Sequence, residues 1–99
     1  MRTIKENYSE ELISAIQSRI TELCRKRAIT QQRLSYLSGI NQSTLSDIMN
    51  GKVNPKIYTL SRISTAFDMD LQEFFNSPHF KRLSPLTLLD KNNLIIDKR

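Results

Sequence analysis

Gln42, Ser43, Ser46, Asp47 and Asn50 form a constellation whose residue types and spacing suit a specific chemistry. On a helix they lie away from the stripe made by Leu45 and Ile48, which are three residues apart. An amide such as that of Gln42 can donate and accept together at an adenine edge. A carboxylate such as Asp47 can accept from cytosine N4, and a serine hydroxyl can serve either way. The same residues could equally make an ordinary solvated face, so their placement in the chain has to decide.

That placement comes from the segment Thr30 to Gly51, TQQRLSYLSGINQSTLSDIMNG, which reads as two short helices around a glycine turn. Thr30 can cap the first helix, with Ile29 before the cap and Leu34 at the fourth helical position. Asn41 can cap the second, with Ile40 and Leu45 in the corresponding places. Each set is a cap with a hydrophobic staple, which fixes how the chain enters the helix. Ser38-Gly39 ends the first helix and Asn50-Gly51 the second, since glycine tolerates the left-handed backbone of a helix end. Leu34, Leu45 and Ile48 should face a shared core, with Leu37 partly exposed. The polar face therefore follows a tight turn at the start of the second helix. This is the layout of a helix-turn-helix that inserts its second helix into the major groove of DNA.

The segment resembles the lambda-repressor and Cro-like helix-turn-helix family of phage and bacterial regulators. The matching residues are Thr30, Gln31, Leu34, Ser35, Gly39, Ile40, Leu45, Ile48 and Asn50-Gly51. The match continues through Asn54-Pro55, Leu60, Ile63 and Phe67 to Leu71 and Phe74, so that it covers roughly Ile16 to Phe75 without gaps. The resemblance implies that Gln31 binds a phosphate and braces Gln42. It implies that Gln42, Ser43 and Asp47 meet base edges, with Ser46 on the same face. Lys52, Asn54 and Lys56 would grip the DNA backbone.

Three positions depart from the family pattern. Many members carry an arginine in the first helix paired with a glutamate at the end of the third, where this chain has Cys24 and Met49. Replacing both partners by soft apolar residues avoids a stranded buried charge, so Cys24 reads as a packing residue. Gln32-Arg33 stands where two carboxylates are usual. A cation there opposes the helix macrodipole, so Arg33 either tolerates that small cost or meets a phosphate. Lys56 stands where a serine or threonine cap is expected, which weakens the start of the fourth helix.

Charge agrees with a nucleic-acid partner. The 99 residues suffice for one small domain, with a net charge of +5 and a pI near 9.7. Between Arg19 and Arg62 eight cations face only Glu22 and Asp47, while 63–80 carries −3 and 81–99 carries +3. Positive charge thus gathers around the candidate reading unit, although a basic domain can also be merely soluble.

The flanking sequence should build an all-α, five-helix, lambda-repressor-like platform within residues 1–80. Ser9 can cap a first helix running to about Lys26, with Ile13, Ile16, Ile20 and Leu23 as its buried stripe. A fourth helix begins near Pro55 to Ile57 and presents Ile57, Leu60, Ile63 and Phe67. Asp70 and Glu73 mark a capping box for a fifth, stapled by Met69 and Phe74, and Asn76-Ser77-Pro78 breaks it. Residues 81–99 form a C-terminal extension with Leu86, Leu88, Leu89 and then a β-prone run, Leu94 to Ile96. These apolar residues suggest a segment that packs across a partner subunit in a homodimer. A segment folded back on its own domain, or without fixed structure in isolation, is the open alternative.

Other classes find little support. One cysteine and one histidine, Cys24 and His79, cannot assemble a metal cluster or a disulfide framework within one chain, and His79 reads as part of a linker. No serine has catalytic spacing, and two glycines cannot make a phosphate loop, so neither an enzyme nor a cofactor is expected. No apolar run reaches membrane-span length and the start MRTIKENYSEE lacks a signal-peptide core, which points to the cytoplasm. The expected function is a sequence-specific, double-stranded-DNA-binding transcriptional regulator that acts as a homodimer. The alternative is an antitoxin-like module that uses the same fold to hold a protein partner.

Overall fold

The computed structural model describes residues 2–81, with side chains from residue 10 onward. All of its regular elements are helices: α1 (Arg2–Arg27), α2 (Gln31–Ser38), α3 (Gln42–Met49), α4 (Ile57–Ala66), α5 (Leu71–Phe75) and α6 (Pro78–Lys81). The all-α class expected from the sequence holds, with two corrections. Ser9 does not cap α1, which continues upstream to Arg2 because no glycine or proline interrupts it. The domain gains a sixth short helix, because the chain resumes a helical turn at Pro78, where proline is favoured as a first helical residue. His79 therefore lies in a helix rather than in a linker.

The core joins Ile16, Ile20 and Leu23 of α1 to Leu34, Ile40, Leu45 and Ile48 of the central pair, and to Leu60, Ile63, Phe67 and Phe74 behind them. Ile57 departs from the expected stripe. As the first residue of α4 it projects past the packed face and is 64% exposed. Leu37 is partly exposed, as expected. Cys24 and Met49 pack as half-buried residues against the core, and burial pushes the Cys24 thiol pKa up.

Short helices leave a large share of their backbone carbonyls unpaired at the C-terminus, and here other helices supply donors. Arg62 of α4 donates from Nε to the Ser38 carbonyl at 2.9 Å and from Nη2 to that of Gly39 at 3.3 Å, at the end of α2. Gln17 of α1 donates to the Ile48 carbonyl in α3 at 3.2 Å. Arg27 donates to the Phe67 carbonyl, which caps α4. Arg19 donates from Nε to the Phe74 carbonyl at 2.7 Å and from Nη2 to that of Glu73 at 2.8 Å, closing α5. Its guanidinium also lies over the Phe74 ring. Although only 7% exposed, Arg19 is fully engaged, because Nη1 pairs with Glu22 at 3.2 Å. Burial raises the Glu22 pKa, but hydrogen bonds from Arg19 and Lys26 and the charges of Lys26 and His79 outweigh it, leaving it below the usual carboxylate value.

Candidate nucleic-acid interface

The two central helices start as the sequence predicts. Thr30 Oγ1 accepts the Arg33 N–H at 3.0 Å, and Asn41 Oδ1 accepts the Thr44 N–H at 2.8 Å. Such caps are each worth about 1 kcal/mol. The turn between the helices is held from several sides. Gly39 takes φ 73° and its N–H reaches the Ser35 carbonyl at 3.0 Å. The buried Ser35 hydroxyl donates to the Ile40 carbonyl, and the Ser38 hydroxyl accepts the Ile40 N–H at 3.3 Å. A Cβ at position 39 would displace the Arg62 guanidinium, and the left-handed backbone favours glycine there in any case.

At its other end α3 closes in a Schellman motif. The Lys52 N–H bonds the Asp47 carbonyl at 2.8 Å and the Gly51 N–H bonds that of Ile48 at 3.1 Å, with Gly51 at φ 73°. This closure fixes where Lys52 leaves the helix. Leu45 and Ile48 are buried, so the opposite face of α3 is turned outward and is held at both ends.

On that face Gln42 and Ser43 are exposed, while Ser46 and Asp47 are half-buried. The Ser43 hydroxyl donates to Asn41 Oδ1 at 3.0 Å, which leaves its oxygen as an acceptor. Ser46 Oγ accepts from Asn50 Nδ2 at 3.2 Å, so its oxygen is already partly used within the helix. The structure brings Gln42, Ser43, Ser46 and Asp47 onto one short surface. The implied brace between Gln31 and Gln42 is not made: both are exposed and no hydrogen bond joins them.

The expected backbone-gripping residues lie around this surface. Gln31, Arg33, Lys52, Asn54 and Lys56 are all exposed. Arg33 lies over the ring of Tyr36 at 5.1 Å, an arrangement that steadies its guanidinium. Lys52 and Lys56 have no acidic partner among the described residues. Lys56 precedes α4 without a side-chain cap bond, as its residue type predicts. Arg19, Arg27 and Arg62 belong by position to the cations around the reading unit, but all three donate to helix-end carbonyls. No local sequence signal marks these contacts, because each arginine meets a helix end far along the chain.

Known proteins place this arrangement. A family model described as helix-turn-helix matches residues 20–74. The chain is similar to the HTH-type transcriptional regulator PuuR of Escherichia coli, with 32% identity over 77 residues, covering 78% of this chain and 41% of that protein. The PuuR of Shigella flexneri matches to the same extent. The SPbeta prophage-derived uncharacterized HTH-type transcriptional regulator YopS of Bacillus subtilis is 40% identical over 57 residues, covering 57% of this chain and 77% of that protein. The chain thus spans less than half the length of the PuuR proteins it matches. No solved structure gives a significant match. None of the described helices is long and apolar enough to cross a membrane.

Proposed function

The chain belongs to the lambda-repressor/Cro-like helix-turn-helix family of DNA-binding transcription regulators, and we propose that it reads base-pair edges of double-stranded DNA with the outer face of α3. The observation that carries this reading is the exposure of Gln42 and Ser43 on a helix start held by the Asn41 cap and by Arg62 at the turn. A side chain can discriminate bases only if its backbone is placed within a few tenths of an ångström, and this turn has no free hinge.

In this reading Gln42 addresses an adenine edge, Asp47 accepts from a cytosine amine, and Ser43 and Ser46 adjust to either. Gln31, Arg33, Lys52, Asn54 and Lys56 hold the phosphates and set the register without reading sequence. α2 crosses the backbone while α3 occupies the major groove. One such unit covers one half-site, so the protein acts as a cytoplasmic homodimer on an inverted repeat. The regulator names of its relatives do not favour the antitoxin-like alternative.

Selection of bound duplexes from a random pool tests this directly. The expected product is an inverted repeat whose half-site centres lie about 34 Å apart. Recovery of unrelated sequences, or of no enriched motif, would refute base reading by α3.

A further inference from the structure

Between the start of α4 and α5 an apolar groove lies open. Ile57, 64% exposed, forms it with Leu71 and Phe75, and Gln72 and Asn76 lie at its margin. None of the residues assigned to DNA contributes to it. Leu71 also lines an adjoining depression that contains Asp68, Asp70 and Glu73, so the apolar groove continues into an acidic one.

The described chain leaves the domain beside this groove. Phe80 packs edge-on against Phe75, with ring centroids 4.8 Å apart, and α6 ends at Lys81. The sequence beyond Lys81 matches the groove in both apolar character and charge. Residues 82–99 carry Leu83, Leu86, Leu88, Leu89 and the run Leu94 to Ile96, together with four cations, Arg82, Lys91, Lys98 and Arg99, against Asp90 and Asp97.

We propose that residues 82–99 dock back onto their own domain, with their leucines in the Ile57–Leu71–Phe75 groove and their cations facing Asp68, Asp70 and Glu73. Reach permits it: an extended chain covers about 3.3–3.6 Å per residue, so Leu83 to Leu89 start within a few residues of the ring that walls the groove. Tethering favours it, because a segment joined by a short link has an effective concentration in the millimolar range, above that of a second copy in dilute solution. Opposite charge then selects the direction in which the segment lies. The groove contains none of the side chains assigned to base reading, so the docking can be tested apart from that reading.

Limited trypsin digestion of the full chain, followed by mass spectrometry, tests the docking, because Lys91 lies between the two apolar groups of the segment. Cleavage after Lys91 should be about tenfold slower than in the Ile57→Glu variant, at a rate independent of protein concentration. Amides in 83–96 should show matching hydrogen-exchange protection. Ile57 is exposed, and an unchanged helical signal confirms that its variant folds. Leu89→Ser should produce the same acceleration without altering the domain. Equal cleavage in the unaltered chain and both variants would overturn the proposal. Protection that rises with protein concentration, alongside a doubled mass by light scattering, would also overturn it by assigning the groove to a second copy.

Discussion

Two groups of cations share this small domain and do opposite work. Arg19, Arg27 and Arg62 point inward or along the surface to bind helix-end carbonyls. Arg33, Lys52 and Lys56 stand exposed around α3, and the two lysines have no acidic partner among the described residues. A total charge merges the groups, yet only the second has side chains left without a helix-end carbonyl to hold them, and these are the cations we propose for the DNA backbone. The first makes the second useful, because unsatisfied ends on helices of five to ten residues would leave α3 loosely placed.

The largest effect should come from the inward group. Arg19→Met leaves the Phe74 carbonyl without its donor and removes a partner of Glu22, and should cost about 2–4 kcal/mol of stability. The urea midpoint measures it; a change within error would mean that the carbonyl contacts carry no weight. Lys52→Ala should do the reverse. Its unfolding midpoint should shift by no more than about 0.5 kcal/mol, while its salt dependence of DNA binding flattens by about one counterion. Equal salt slopes for the variant and the parent would remove Lys52 from the phosphate-gripping group.

A smaller effect separates Glu22, which ties Arg19, Lys26 and His79 together. Its pKa is depressed in the folded protein, so its stabilisation is complete above the ordinary value of 4.5 and is lost as pH falls through the lower folded value. Glu22→Gln should therefore lose at most about 1 kcal/mol at neutral pH. It should also show a shallower decline in thermal midpoint on acidification. An identical acid profile in the parent and the variant would contradict the linkage.

Much of the reading unit was legible because its signals are local. Thr30, Asn41, Gly39 and Gly51 act within a few residues of themselves, and each does what its type predicts. The capping box of Asp70 and Glu73 is likewise formed as expected. What escaped the sequence depends on distant partners. Arg19 meets α5 across more than fifty residues and Arg62 meets the turn across more than twenty, and no pattern within either helix reveals this. Ile57 fitted the apolar spacing of α4, but spacing does not say where a neighbouring helix stops. Left-handed turns at Ala28 and Asp68 were missed for a related reason: neither is a glycine, and both are held by helix-end hydrogen bonds. The base- and phosphate-contact roles of Gln42, Ser43, Ser46, Asp47 and their neighbours rest on type, exposure and placement. The apolar segment expected to cross a dimer lies outside the described residues.

An amide at the start of α3 should discriminate bases while the lysines beside it should not. The most direct measurement compares Gln42→Ala and Lys52→Ala on the best selected duplex and on a scrambled one, at several salt concentrations. Gln42→Ala should lose about 1–3 kcal/mol on the best duplex alone, and Lys52→Ala should weaken both duplexes alike. The same sequence-independent loss for both variants would contradict the account.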